Sequence, residues 1–331
     1  MLKDDRNNTH EQLVKTISNF DKVDIGERKY DIVPELQNVR NILVTGGYGF
    51  LGSFLVRKLV VLYPEYHIYV VDKLEYRGST RNLKSVKDFP NFTGIRGDIT
   101  SSEFVSFILK EKRIDVIFHL AAQTHIDRSF GDSFEFTTNN VMATHVMLEA
   151  ARIYGIKRFI HVSTDEVYGG PDAILAPSNP YSATKAAAEF LVMAYHKSFG
   201  LPTIITRSNS IYGPYQYPEK IISNYIHGNG QNSRRYIYAA DVADALDLVF
   251  RKGEVNEIYN VGCETEFSNL QLCKKLIRLF GYPEEQIEDH IEFVQDRPLN
   301  DKRYNVSYSK LEALGWKPKV DIDSGLLRTS K

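Results

Sequence analysis

Cysteine is scarce in this chain. Cys263 and Cys273 are the only two thiols among 331 residues, too few for a disulfide framework or a cysteine-built zinc site, and they point to a reducing compartment. No apolar run reaches the ~20 residues of a membrane-spanning helix. The N-terminus lacks the basic-then-apolar pattern of a secretory signal, so a cytoplasmic protein is expected. The Asn-x-Ser/Thr triplets, such as Asn91-Phe92-Thr93, are then chance rather than glycosylation sites. An excess of one charge is missing too: 41 basic residues face 42 acidic ones, a formal net charge of -1. Nothing in that balance steers the chain to nucleic acid or to an anionic membrane. Internal repeats and low-complexity tracts are absent. What remains is the make-up of a globular protein, 43% hydrophobic and 25% charged, long enough for a sheet core plus a smaller appendage.

The most informative segment is Thr45-Gly46-Gly47-Tyr48-Gly49-Phe50-Leu51-Gly52. Ile42 to Thr45 reads as a short buried strand, and Phe50, Leu51, Phe54, Leu55 and Leu59 recur at helical spacing. A tight glycine turn between strand and helix lets backbone N–H groups approach a pyrophosphate, which the helix N-terminus also favours. The spacing Gly46-x-x-Gly49-x-x-Gly52 is a weak signal alone. It is strengthened by Asp72, which closes the next strand (Ile68-Tyr69-Val70-Val71) about 20 residues later, where a dinucleotide fold places a carboxylate for the adenine ribose hydroxyls. That carboxylate would repel a 2′-phosphate, so NAD is favoured over NADP.

Beyond this unit, strands and helices alternate. Asp115 to Ala121 and Arg158 to Ser163 read as strands, Phe134 to Tyr154 and Tyr181 to Phe199 as helices, and Thr203 to Thr206 as a further strand. The alternation predicts an α/β protein of the Rossmann type, a doubly wound parallel sheet with a smaller C-terminal substrate-binding domain. The expected organisation is a polar extension over 1–40, mostly disordered with one short helix near Glu11–Phe20. A nucleotide-binding domain over 41–211 follows, then a smaller domain over 212–331. Returns to the first domain are expected near 236–262, where Asp241–Phe250 and Ile258–Val261 read as helix and strand.

Two further clusters carry chemistry. Tyr181-Ser182-Ala183-Thr184-Lys185 puts a phenol and an ammonium four apart on one helix face. The ammonium is expected to lower the phenol's pKa and make Tyr181 a base for an alcohol undergoing oxidation. Tyr-x-x-x-Lys is common by chance and gains meaning from following the fifth strand of a nucleotide-binding sheet. That strand ends Ser163-Thr164-Asp165-Glu166-Val167-Tyr168-Gly169, at the carboxyl edge where open α/β sheets bind ligands. Thr164 is placed to bond a substrate hydroxyl. Asp165 and Glu166 add an acid and a base, which simple dehydrogenation does not need and water elimination does. A solvated acidic loop is the plain alternative. His119, His125 and His161 fall on separate strands or loops without a carboxylate-rich partner set, so structural histidines and no metal site are expected.

These segments, with His119-Leu120-Ala121-Ala122-Gln123-Thr124, Gly97-Asp98-Ile99, Tyr212-Gly213-Pro214-Tyr215-Gln216-Tyr217-Pro218-Glu219-Lys220, Asp296-Arg297-Pro298 and Asp301-Lys302-Arg303-Tyr304, resemble the nucleotide-sugar 4,6-dehydratase family of the extended short-chain dehydrogenase/reductases, typified by dTDP-glucose 4,6-dehydratase. The resemblance covers nearly everything from Asn41 onward. It implies a hydro-lyase converting a dTDP- or UDP-glucose to the 4-keto-6-deoxy sugar, with tightly held NAD and a homodimer. Tyr181, Lys185 and Thr164 would serve C4 oxidation, Glu166 would remove the C5 proton, and Asp165 would protonate the departing C6 hydroxyl. Gly46, Gly49, Phe50, Leu51, Gly52, Asp72, Lys73, Asp98, Ile99, Leu120, Ala121 and Ala122, with Tyr181 and Lys185, match positions around the cofactor. Thr124, Lys220, Arg234, Asn269, Arg303 and Tyr304 match positions that hold the nucleotide-sugar, arginine forks suiting a diphosphate. Each of these alone is as well explained by a surface salt bridge.

The chain departs from the family's pattern at four places. The stretch from Gly169-Gly170-Pro171 to Pro180-Tyr181 is short. Roughly a dozen residues, about one helix, are missing between Glu219-Lys220-Ile221-Ile222 and Gly228-Asn229-Gly230. The family's paired asparagines are here Asn209-Ser210-Ile211. The sequence stops at Lys331, slightly before the aromatic end of the family's last helix. Two other readings stay open: a catalytically silent NAD-binding relative, and an epimerase or decarboxylase of the same superfamily, against which Asp165-Glu166 argues.

Overall fold

Apolar runs without polar alternation build strands that are covered on both faces. Ile42-Leu43-Val44, Val116-Ile117-Phe118 and Phe159-Ile160 are of this kind, and all are fully buried. The computed structural model describes residues 2–75, 78–169, 175–208, 210–216, 226–295 and 306–330. Its strands are β1 (Asn41–Thr45), β2 (His67–Asp72), β3 (Phe92–Arg96), β4 (Val116–His119), β5 (Arg158–Thr164), β6 (Thr203–Ser208), β7 (Ser210–Tyr212), β8 (Ile226–His227), β9 (Ser233–Tyr238), β10 (Ile258–Val261), β11 (Glu266–Ser268) and β12 (Phe293–Val294). Seven form one sheet in the order β10-β6-β5-β4-β1-β2-β3, every pair parallel. This is the Rossmann arrangement. Successive residues point to opposite faces, so Leu43, Val71, Ile117, Phe159 and Ile205 pack under one helical layer. Val44, Val70, Phe118, Ile160 and Ile204 pack under the other.

The chain winds outward from β1 to β3, then returns across the sheet to β4 beside β1. The reversal leaves a crevice at the carboxyl ends of β1 and β4, the ligand position of open α/β sheets. Helix Ala239–Lys252 packs against helix Phe50–Leu62, and β10 extends the sheet edge next to β6. A three-stranded sheet (β11-β9-β7) and the pair β12-β8 carry the smaller lobe. Its apolar cluster joins Phe54, Tyr212, Tyr238, Leu272, Leu276 and Leu326. The expected helix over Phe134–Tyr154 is a helix with an insertion: Ser133–Phe136, a π-helical turn Thr137–Met142, then Ala143–Ile153.

The expectation of disorder over residues 1–40 is wrong. Helices run over Leu2–Thr16 and Asn19–Ile25, and Ile17 and Ile25 enter the core. Ser18 caps the second helix by accepting from Asp21 N (3.1 Å). The physical reason lies elsewhere in the chain. Arg57 and Lys58 sit on the outer face of helix Phe50–Leu62, and each is only 3% exposed. Buried cations need partners. Asp21 Oδ1 accepts from Arg57 (3.0 Å) and Ile25 O accepts from Lys58 Nζ (2.7 Å). His10 meets Val60 O (3.0 Å), and Arg251 Nη1 donates to Asp31 O (3.0 Å). The polar composition of the extension therefore matches polar partners on the domain.

Candidate active site

The glycine turn closes over the end of β1. Gly46 has φ +69°, a left-handed conformation, and a Cβ there would lie 2.8 Å from the Ala121 backbone. At Gly52 a Cβ would sit 2.3 Å from Gly46 O, so helix Phe50–Leu62 approaches the turn only without a side chain. No side chain caps the helix at Gly49, leaving its first N–H groups open to an anion. Asp72 lies beside the turn: its Oδ2 accepts from Tyr48 N (3.2 Å) and its Oδ1 from Leu74 N (2.9 Å). Burial raises the Asp72 pKa against those two hydrogen bonds.

The second half of the site grows from the end of β5. Thr164 caps the 3-10 turn Asp165–Tyr168 by accepting from Glu166 N (3.3 Å) and donates to Asp165 Oδ1 (3.4 Å). Gly169 ends that turn in the left-handed region (φ +66°). Asn179 and Pro180 then start the long helix Pro180–Phe199 through a capping box with Ser182. Asn179 also donates to Glu166 Oε2 (3.4 Å), tying the acid to the helix that carries Tyr181. Asp165 is buried at 4% exposure and Tyr181 at 7%. Lys185 Nζ donates to Val162 O (2.8 Å); burial lowers its pKa to about 8, opposed by Glu189. Glu189 itself is fully buried and held by Arg207 Nε (3.1 Å).

One expectation fails here. The Tyr181 pKa lies above its ordinary value, not below it. Burial raises it strongly, the Glu166 charge raises it further, the Thr164 hydroxyl opposes, and Asp165 adds a smaller rise. The spacing puts the ammonium on the same helix face, and one of its N–H groups donates to the Val162 carbonyl.

A single cavity of about 950 Å³ joins both halves. Its lining holds Gly46, Gly49, Phe50, Leu51, Gly52, Asp72, Lys73, Ile99, Leu120, Ala121 and Ala122 from the nucleotide side. Thr164, Asp165, Glu166, Tyr181 and Lys185 line it as well, as do Thr124, Arg234 and Asn269. Asn269 Oδ1 accepts from Tyr236 Oη (3.0 Å). Asp98 is not part of the lining. Its carboxylate pairs with Lys73 (3.0 Å) and accepts from Thr100 (2.8 Å), and these bonds outweigh burial to lower its pKa. Lys220, Arg303 and Tyr304 lie outside the described residues, as do Asn209 and the shortened stretch after Lys220.

Three residues, Asn140, Ser163 and Ser208, escaped sequence reading. Asn140, from the π turn, accepts from Gln123 N (2.7 Å) and donates to Gln123 O and Thr184 Oγ1 (3.0 Å each). It locks the loop after β4 to the Tyr181 helix, and the only trace in sequence is a polar residue on an otherwise apolar stripe. His119 bridges Thr45 Oγ1 (2.8 Å) and Thr144 Oγ1 (2.9 Å), and burial drives its pKa to about 3. Ser163 and Ser208 line the cavity with buried hydroxyls that lack a hydrogen-bond partner among the described residues. Buried donors of this kind cost free energy unless a ligand bonds them. The glycine cradle, the uncapped helix, the Asp72 carboxylate and these hydroxyls together fit a dinucleotide.

A parallel seven-stranded sheet with such a cavity at its switch point is the frame of the extended short-chain dehydrogenase/reductases. Within that superfamily the chain belongs to the family described as GDP-mannose 4,6 dehydratase, whose sequence model matches residues 43–329. The dTDP-D-glucose 4,6-dehydratase of Mus musculus is 44% identical over 310 residues, covering 88% of this chain and 87% of the mouse protein. A trifunctional UDP-glucose 4,6-dehydratase/UDP-4-keto-6-deoxy-D-glucose 3,5-epimerase/UDP-4-keto-L-rhamnose-reductase of Arabidopsis thaliana is 47% identical over 312 residues. That match covers 88% of this chain, and the chain spans only 46% of the plant protein. Among solved structures, the dTDP-glucose 4,6-dehydratase DesIV of Streptomyces venezuelae, with NAD bound, superposes with a TM-score of 0.82 at 36% identity. It covers 87% of this chain and 95% of its own.

Proposed function

We propose that this protein is an NAD-dependent hydro-lyase that converts dTDP-glucose or UDP-glucose to the 4-keto-6-deoxy sugar. The observation that carries the reading is the placement of two carboxyl groups, Asp165 and Glu166, beside Thr164 and Tyr181 on one wall of the cavity that begins at the glycine turn. NAD, held at the glycine turn and Asp72, would supply the hydride acceptor for C4 oxidation and later the hydride donor. Tyr181 takes the proton of the sugar 4-hydroxyl, with Thr164 bonding the same oxygen and Lys185 holding the helix to the strand. With C4 a ketone, the C5 proton is acidic, and Glu166 removes it. Asp165 protonates the C6 hydroxyl, which leaves as water, and the 5,6-alkene left behind would take back the hydride at C6 and the Glu166 proton at C5, giving the 4-keto-6-deoxy sugar. Thr124, Arg234 and Asn269 are assigned to the nucleotide-sugar; Lys220, Arg303 and Tyr304 are assigned with them on the family resemblance alone.

A homodimer is part of the proposal. Phe134 and Ile153, in the helical run Ser133–Ile153, and Phe190 and Phe199, on helix Pro180–Phe199, stand 85%, 57%, 57% and 56% exposed, an apolar face that a second copy would cover. Light scattering on the purified protein tests it, and a monomer overturns it. A cytoplasmic location is supported by the two free thiols; no helix among the described residues is long and apolar enough to cross a membrane.

The decisive assay incubates purified protein with each sugar and follows the alkali-absorbing 4-keto product. Product from either sugar is expected. Retained NAD without product from both would favour the silent relative, and a C4 epimer as sole product would favour the epimerase.

A further inference from the structure

Residues 1–42 precede the segment matched by the family, yet their second helix reaches the wall of the nucleotide-sugar cavity through two side chains. We propose that this segment is a clamp: Asp21 holds Arg57, and Arg57 pins the ring of Tyr215 at the cavity wall, so that the extension positions the substrate side of the site. The inference rests on the function proposed above for what the cavity binds.

Arg57 Nη1 donates to Asp21 Oδ1 (3.0 Å). The same guanidinium lies over the ring of Phe54 (4.6 Å) and over that of Tyr215 (4.8 Å), within the range of cation–π attraction. Tyr215 lines the cavity with Ile211 and Gln216. Its φ is +66°, a backbone state that side-chain-bearing residues avoid and keep only where neighbours impose it. Gln216 N donates to Gly213 O (3.3 Å) and Gln216 Nε2 to Ile211 O (2.9 Å), closing the turn, and among the described residues the Arg57 and Phe54 contacts hold the ring from outside it. The other end of this turn is tied to the same helix. Asp24 Oδ2 accepts from Tyr238 Oη (3.1 Å), and Tyr238 packs edge-on against Tyr212 (5.5 Å). Asp24 also meets Arg328 (3.3 Å) of the C-terminal helix Ile322–Thr329. One seven-residue helix, Asn19–Ile25, thus braces both ends of Tyr212–Tyr215.

The test uses the full chain with four single variants, Asp21→Asn, Arg57→Lys, Tyr215→Leu and Tyr215→Phe. Asp21→Asn removes the carboxylate charge, Arg57→Lys keeps the charge and loses the planar stack, and Tyr215→Leu removes the π face. Each of these three is expected to raise KM for the nucleotide-sugar about fivefold while kcat stays within about twofold. Tyr215→Phe, which keeps the ring, should recover most of the loss seen in Tyr215→Leu. The double variant Asp21→Asn/Tyr215→Leu should be no worse than Tyr215→Leu alone within about twofold, since both break one chain of contacts. Amide hydrogen exchange over 212–216 should quicken in Asp21→Asn and Arg57→Lys. A lowered thermal midpoint with wild-type KM and wild-type exchange over 212–216 would overturn the clamp and leave a packing role only. Multiplying effects in the double variant would also overturn it. If the wild type makes no 4-keto product from either sugar, the proposed function fails, and the exchange measurement decides the clamp by itself.

Discussion

Glu166→Gln separates the two halves of the proposed reaction. The glutamine keeps the shape of the side chain and an oxygen that can accept from Asn179 Nδ2, now 3.4 Å from Glu166 Oε2. It cannot take a proton from C5. A positioned general base contributes about 10²–10⁴ in rate, so product formation should fall by that factor, a barrier rise of about 3–5 kcal/mol. The effect on oxidation has the opposite sign. The Glu166 charge is, after burial, the next cause of the raised Tyr181 pKa. Removing it lowers that pKa and increases the phenolate fraction at any given pH. C4 oxidation, read as the near-ultraviolet absorbance of reduced nicotinamide in a single turnover, should therefore persist, with its pH profile shifted to lower pH. Accumulated reduced cofactor with little product is the expected signature. If oxidation falls as far as overall turnover, Glu166 serves binding or oxidation and the elimination role is wrong. If turnover is unchanged, another base removes the proton.

Other outcomes are equally concrete. Gly52→Ala forces a Cβ to within 2.3 Å of Gly46 O, and the cofactor content of the purified protein should fall sharply; full retention would mean that the glycine turn does not hold the cofactor. Gly169→Ala meets both a positive φ and the Ala176 carbonyl, with 1.6 Å between that oxygen and the new Cβ. It should displace the Asp165–Tyr168 turn and lower kcat at least tenfold (about 1.4 kcal/mol) while cofactor content holds, which parallel activity and cofactor assays would check. Asp241 supplies a pH test of stability. Burial raises its folded pKa to about 6 from 3.8, against hydrogen bonds from Val320 and Lys319, so the folded state binds the extra proton. Its contribution is present below the unfolded value and is lost as pH rises through about 6, up to about 3 kcal/mol at 1.36 kcal/mol per unit. Asp241→Asn, which keeps an acceptor for Val320 N, should flatten the fall in thermal midpoint between those pH values.

The parts of the site legible in sequence are those whose chemistry is local. Gly46, Gly49 and Gly52 report a turn because positive φ and close backbone approach are demands a few neighbouring residues must meet together. Tyr181 and Lys185 share a helix face by spacing, and Asp165 and Glu166 follow directly from the end of β5. Asn140 stayed hidden because a π turn shifts the register of its helix, and no simple periodicity predicts that insertion. That Ser163 and Ser208 both reach the cavity was equally hidden, since it depends on β5 lying beside β6, where Thr164 stands opposite Ser208. The order of the extension is hidden for a related reason: Asp21 looks solvated until Arg57 is known to be buried beneath it.

Taken alone, the order of residues was enough to specify a parallel α/β sheet, a dinucleotide turn with a carboxylate 20 residues on, and an acid pair at the end of a strand followed by a helix with a Tyr-Lys pair. Those features depend on hydrophobic periodicity and local dihedral preference, which act over a few residues. Tertiary structure alone decided that one cavity joins these groups, that Lys185 serves the Val162 carbonyl, and that residues 9–25 brace the core. It also decided that burial raises the Tyr181 pKa. Desolvation and long-range ion pairing depend on what surrounds a group in space, and that neighbourhood exists only once the chain has folded.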